Sequence, residues 1–236
     1  MASRQFNGKK PVIDRKLVLF DFDGTLFDSQ THFDQALIEF SNLKSLPFDI
    51  KKVSVGYVDP LKYDLGWGVS LSEQPALLDD YQKYLYKEFH DNGRFVPSSY
   101  DGIKDILDEV SQEYELGIVT ARSRASTMDI LKRYNFEKYF GSYRTLCCVR
   151  EKNQQLKPSA DALFCLLDEV KIAPGNTVMI GDTTSDILMA NNAEVKSIAV
   201  LWGAHSREKL ETAKPTLFVD KVMDLPQAVE KVFAND

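Results

Sequence analysis

Two carboxylates one residue apart, Asp21 and Asp23, close the apolar run Leu17-Val18-Leu19-Phe20 and stand directly before a Gly24-Thr25 turn. In a strand, residues i and i+2 point to the same face, so two acids at a strand end can converge on the space just beyond it. Open α/β sheets take their ligands outside the carboxyl ends of the strands. A divalent cation and an anionic substrate suit such a pair, although a solvated Asp-Gly turn uses the same residues. Asp182 and Asp186 follow the apolar Val178-Met179-Ile180 and lie one helical turn apart, so they share a face. They equally suit helix N-terminal capping, and the two uses are compatible. Thr120 ends the run Gly117-Ile118-Val119, and Lys157 precedes Pro158. Taken alone, Thr120 reads as a satisfied strand-end hydroxyl.

The elements that must position these residues are legible as an alternation. Strand-like runs fall at about 16–21, 116–120, 144–149, 177–181, 197–201 and 216–219. Helical spacing links Ile103, Ile106, Leu107 and Val110, then Met128, Leu131 and Tyr134. It recurs over Leu163, Leu166, Leu167 and Val170, with Pro158 expected in the first turn of that helix, and over Leu225, Val229 and Val232. Alternation of this kind implies βαβ units and a parallel sheet. The interval from Gln30 to Phe95 breaks it: Phe33, Leu37 and Phe40 mark one helical face, and Leu78, Tyr81, Leu85 and Phe89 another. Residues 1–15 read as a flexible lead-in.

With 236 residues the chain can bury a sizeable core as one large domain or two small ones. A formal net charge of −6 argues against a nucleic-acid surface, which is ordinarily basic. No apolar run has transmembrane length, and the polar N-terminus has no secretory signature. Cys147, Cys148 and Cys165 are expected as buried free thiols in a reducing cytoplasm.

Asp21-Phe22-Asp23-Gly24-Thr25-Leu26-Phe27-Asp28-Ser29 resembles the first signature of the haloacid dehalogenase superfamily in its phosphatase form. Gly117-Ile118-Val119-Thr120, Lys157-Pro158 and Gly181-Asp182-Thr183-Thr184-Ser185-Asp186 resemble the three that follow it, in the same order. The resemblance extends to phosphoglycolate phosphatase-like enzymes through Trp202-Gly203-Ala204-His205-Ser206-Arg207-Glu208. It implies an α/β fold: a Rossmann-like core over 16–29 and 96–236, with an inserted α-helical cap over 30–95.

For activity, the resemblance implies a Mg²⁺-dependent phosphatase of small soluble phosphomonoesters. Asp21 would be the nucleophile that becomes an aspartyl phosphate, and Asp23 the general acid and then base. Mg²⁺ would be held by Asp21, the Asp23 backbone carbonyl and Asp182, while Asp186 binds through water or orients Lys157. Phosphate would meet Gly24, Thr120, Ala121 and Lys157, and Lys62, Tyr63 and Trp67 of the cap would read the substrate. The partner would be a small phosphorylated metabolite, with neither nucleic acid nor membrane involved.

The chain also departs from the family pattern. Asn192-Ala193 stands where relatives carry Ala-Gly, so Asn192 is expected to take the left-handed helix end. A phosphosugar mutase is the alternative activity, but His32 lies one residue early for that reading. His90 and His205 read as surface or boundary residues. A phospho-acceptor signalling module is a further alternative, disfavoured by the helical insertion.

Overall fold

The computed structural model describes residues 15–53, 66–70, 72–140, 146–148 and 155–234. In chain order its strands are β1 (Leu17–Phe20), β2 (Phe27–Asp28), β3 (Ser98–Ser99), β4 (Glu115–Thr120), β5 (Leu146–Cys148), β6 (Thr177–Gly181), β7 (Lys196–Val200) and β8 (Leu217–Val219). The helices are α1 (Gln30–Leu43), α2 (Gln74–His90), α3 (Ile103–Val110), α4 (Arg124–Arg133), α5 (Asp161–Val170), α6 (Thr184–Asn192), α7 (Arg207–Glu211) and α8 (Leu225–Ala234).

Six strands form one parallel sheet in the order β5-β4-β1-β6-β7-β8. Every residue of β1 is buried, which is why the strand reads as a continuous apolar run rather than an alternating one. Its side chains nevertheless divide between the faces. Val18 and Phe20 pack with Ile103, Ile106 and Leu107 of α3, Ile130 of α4 and Val229 of α8. Leu17 and Leu19 pack with Leu163, Leu166 and Leu167 of α5 and Met189 of α6. Each such side chain contributes about 1.5–3 kcal/mol on burial, so packing, more than strand propensity, fixes β1 centrally. From β4 and β5 on one side of β1, the chain crosses to β6, β7 and β8 on the other. The strand order therefore reverses between β1 and β6, where ligands bind in open sheets of this kind.

Between β1 and β4 lies the helical insertion. Its α1 and α2 bury their own cluster of Ala36, Leu37, Phe40, Trp67, Leu78 and Tyr81. The chain leaves for and returns from it through the antiparallel pair β2–β3, with Phe27 opposite Ser99 and Asp28 opposite Ser98. Two residues per strand are too few to leave a periodic signal, so this ribbon is absent from the sequence reading.

Three local expectations are corrected. Pro158 precedes α5, whose N-cap is Ala160, because a turn closed by Ser159 N–H to the Leu156 carbonyl (3.0 Å) intervenes. The left-handed residue after α6 is Glu194 (φ 56°), while Asn192 stays helical and its amide donates to the Pro158 carbonyl at 2.9 Å. Cys165 forms no disulfide and is half-buried on α5 rather than fully buried. The side chains of Cys147 and Cys148 lie outside what is described. No helix among the described residues is long and apolar enough to cross a membrane.

Candidate active site

β1 and β6 run in register, Phe20 beside Ile180, so the residues just past their ends emerge together. Asp21 follows β1 with its N–H donated to the Ile180 carbonyl (2.8 Å), and Asp182 follows β6. The loop after Asp21 is tight, with the Leu26 and Phe27 amides both donating to the Phe22 carbonyl at 3.1 Å. Lys157 reaches in ahead of α5 and donates to Asp21 Oδ1 at 2.7 Å and to Asp186 Oδ1 at 2.6 Å. Asp186 is the third residue of α6. Its other oxygen accepts the Thr183 N–H (3.1 Å) and hydroxyl (2.5 Å), closing a capping box on that helix. Capping and lysine orientation are thus both done by Asp186.

Asp182 is gripped from two sides. Oδ1 accepts the Thr25 hydroxyl (3.0 Å), and Oδ2 accepts the Ala204 N–H (2.8 Å). Glycine is required on both flanks. A Cβ on Gly24 would lie 2.1 Å from Asp182 Oδ2, and one on Gly203 would lie 2.2 Å from Asp182 Cβ. Gly24 also has φ +83°, a conformation that L side chains rarely adopt. Its expected part in holding phosphate through its N–H is corrected: that N–H is donated to the Phe27 carbonyl at 2.8 Å. What Gly24 supplies is room for Asp182.

The electrostatics follow from burial. Asp21, Asp182 and Asp186 are all buried and offer oxygens within 4.8 Å of one another, against one ammonium, that of Lys157. Burial pushes the Asp21 carboxyl well above the usual range; Lys157 opposes this, and Asp186 and Asp182 add to it. Asp182 is pushed up to about 7 by burial and then by Asp186, against the Ala204 N–H, the Thr25 hydroxyl and Lys157. For Lys157, burial pulls the pKa down, but Asp186 and Asp21 more than reverse it, so the ammonium stays charged. The cluster is therefore short of positive charge. A hard divalent cation with oxygen ligands matches both the donor set and the deficit.

A pH dependence follows with a definite sign. An acid whose folded pKa is raised from 3.8 to about 7 holds its proton in the folded state after the unfolded chain has released it. Metal-free stability should therefore fall as pH rises from about 4 to about 7 and level off above that. Asp182→Asn removes the group, so melting in EDTA should show the variant gaining on the wild type across that window. A difference between the two that does not change with pH would contradict the assignment.

Thr120 is buried at the end of β4, and its hydroxyl oxygen accepts the Arg122 N–H at 3.1 Å, with Ala121 between them past the strand end. Arg122 itself was not among the residues expected. Its guanidinium pairs with Asp23: Nη2 lies 2.6 Å from Oδ1, and Nε lies 3.2 Å from both oxygens. The signal available in the sequence was a cation two positions after a strand-end threonine, which has no periodicity to mark it.

Trp67, expected to read substrate, is corrected: it is fully buried in the insertion's cluster, its ring 5.7 Å from Phe40 and 6.1 Å from Tyr81. Lys62 and Tyr63 lie outside the described residues. His205 is also corrected, because it is buried beside α6, where Nδ1 accepts the Thr184 N–H at 3.0 Å. Its own N–H donates to the Asp182 carbonyl (3.3 Å), so the segment from Gly203 to His205 wraps the Asp182 turn. His32 is half-buried on α1 with Nδ1 3.3 Å from the Asp28 carbonyl.

Residues 18–200 match the family described as haloacid dehalogenase-like hydrolase. Among curated proteins, a protein named pyrophosphatase PpaX from Bacillus mycoides (strain KBAB4) is 26% identical over 216 residues, covering 91% of this chain and 97% of that protein. Its namesake from Bacillus anthracis is 29% identical over 214 residues, covering 88% and 93%. Among solved structures, a haloacid dehalogenase-like hydrolase from Streptococcus pneumoniae superposes with a TM-score of 0.75 at 22% identity, covering 91% of this chain and 98% of that one. A protein described as a predicted phosphoglycolate phosphatase from Haemophilus somnus 129pt gives 0.76 at 18% identity, covering 92% and 99%.

Proposed function

The chain belongs to the haloacid dehalogenase-like hydrolase family, and we propose that it is a Mg²⁺-dependent phosphatase of small, soluble, cytoplasmic phosphate compounds. The observation that carries this reading is the buried group of Asp21, Asp182 and Asp186 around the Lys157 ammonium, set where the strand order reverses. In this reading Asp21, the Asp23 backbone carbonyl and Asp182 hold the metal, with Asp186 orienting Lys157. Bound Mg²⁺ would supply the missing positive charge and lower the repulsion between Asp21 and the phosphate.

Asp21 attacks phosphorus in line; its Oδ–P bond forms as the bond from phosphorus to the leaving oxygen breaks. Asp23 gives a proton to that oxygen. Asp23 then takes a proton from a water molecule, which adds to phosphorus and returns Asp21 as a free carboxylate. Asp23 Oδ2 accepts from Arg122 Nε at 3.2 Å and keeps a second lone pair for the proton, so Asp23 can move that proton with Arg122 still in contact. Lys157, with Thr120 and Ala121 at the end of β4, stabilises the transferring phosphoryl group. The helical insertion, tethered by β2 and β3, serves as the cap that excludes water.

The test is phosphate release from a panel of phosphorylated metabolites and pyrophosphate. Turnover should vanish in EDTA and return with Mg²⁺, with Ca²⁺ a poor substitute because its looser coordination disturbs in-line geometry. Equal turnover in exhaustively chelated protein would reject the metal. Isomer formation in place of phosphate release would make the enzyme a mutase.

A further inference from the structure

We infer that Arg122 selects the substrate class: phosphate esters or anhydrides whose leaving group carries a second negative charge close to the bridging oxygen. The inference rests on the phosphatase reading above and names the substrate of that same site.

Arg122 is built into the site. Its own N–H bond to Thr120 Oγ1 turns the chain back toward the strand end. The guanidinium carbon lies 5.4 Å from the Phe22 ring centre and 5.2 Å from that of Phe33, so a core residue and a residue of α1 flank it. Nη1 donates to Ser126 Oγ at 2.9 Å. The side chain is 11% exposed, against 28% for its partner Asp23. A guanidinium carries five N–H donors. Nε, one Nη2 donor and one Nη1 donor are taken by Asp23 and Ser126, and the remaining two have no acceptor among the described residues.

The position gives those donors a use. Asp23 must come within hydrogen-bond reach of the leaving oxygen to protonate it, and Arg122 lies 2.6–3.2 Å from Asp23. The guanidinium is therefore within about 6 Å of the leaving oxygen. An anionic group one or two bonds beyond that oxygen falls inside the gap. The two cations then divide the work. Lys157, between Asp21 and Asp186, faces the phosphoryl group in transfer, and Arg122 faces the group that departs. A neutral alcohol leaving group has no charge for a guanidinium to meet, whereas a carboxylate or a second phosphate accepts its planar fork.

The experiment compares 2-phosphoglycolate with 2-phosphoglycolamide, which has nearly the same shape and no second charge. Inorganic pyrophosphate is added as an anhydride. The wild type with Mg²⁺ should show the higher kcat/KM on the acid. Arg122→Gln should lower kcat/KM for the acid and for pyrophosphate by roughly 10–100-fold more than for the amide, the span for a hydrogen bond to a charged group. Arg122→Lys keeps the charge without the fork and should fall between. Melting curves establish that the variants fold, and the wild-type comparison stands without them. Equal losses on acid and amide would reduce Arg122 to a positioning residue for Asp23 and overturn the inference. A wild-type preference for the amide, or turnover confined to esters of neutral alcohols, would overturn it while leaving the phosphatase reading intact. No phosphate release from any compound in either panel would defeat that reading and the inference together.

Discussion

Asp21→Asn should lower turnover by roughly 10⁴-fold or more while leaving the fold standing. Asparagine has nearly the same shape, so the packing past the end of β1 is kept, but its amide is not a nucleophile toward phosphorus. The structure adds an expectation about stability that is opposite in sign. The Asp21 carboxyl is held well above the usual range by burial, with Asp186 and Asp182 adding to the effect of burial. Above the ordinary carboxylate range, its ionisation therefore costs the folded state more than the unfolded chain. The Asn variant escapes that cost, and Lys157 keeps Asp186 as its partner at 2.6 Å. In EDTA at neutral pH its melting temperature should equal or exceed that of the wild type. Single-turnover assays with intact-mass detection should find a phosphorylated wild-type enzyme and none for the variant. Near-normal turnover in a verified Asn variant would remove the covalent mechanism. A large drop in melting temperature would mean that the Lys157 ammonium stabilises the Asp21 carboxylate by more than burial opposes it.

Elements set by repeated local patterns were legible in the sequence. β1 and β6 are buried on both faces, so their apolar runs marked them, and Asp21 and Asp182 were visible as carboxylates stopping those runs. Residues whose roles come from packing across the chain were not. Arg122 meets Asp23 across a separation of 99 positions, and no spacing rule connects them. His205 reads as a boundary residue until β7 and β6 pair and bring the following loop against α6. Trp67 sits in a segment rich in glycine and aromatic residues that resembles a binding loop. Only the packing of α1 against α2 makes it a core side chain. Gly24 reads as a turn residue, but whether its N–H faces a ligand or the chain depends on the hydrogen bond to Phe27.

Lys157→Met should harm both stability and rate, and the two losses can be separated. The Lys157 side chain is 5% exposed and its ammonium touches Asp21 and Asp186. Methionine has similar length and packs well but carries no charge, so three buried carboxylates lose their cation. Removing one partner of a buried pair costs about 3–5 kcal/mol, and at neutral pH the metal-free variant should melt well below the wild type. The deficit should shrink as pH falls, because protonated Asp21 and Asp182 no longer need a counter-charge. Mg²⁺ should restore part of the stability through the same carboxylates. It should not restore the rate, since the lost ammonium acts on the phosphoryl group itself, a contribution of roughly 10²–10³-fold. Adding Asp186→Asn removes one of the unpaired charges and keeps an acceptor for the Thr183 N–H, now 3.1 Å from Asp186 Oδ2. That double variant should recover melting temperature without recovering turnover. Recovery of turnover alongside stability would show that Lys157 acts only by holding the carboxylates in place, and its proposed contact with the phosphoryl group would be withdrawn.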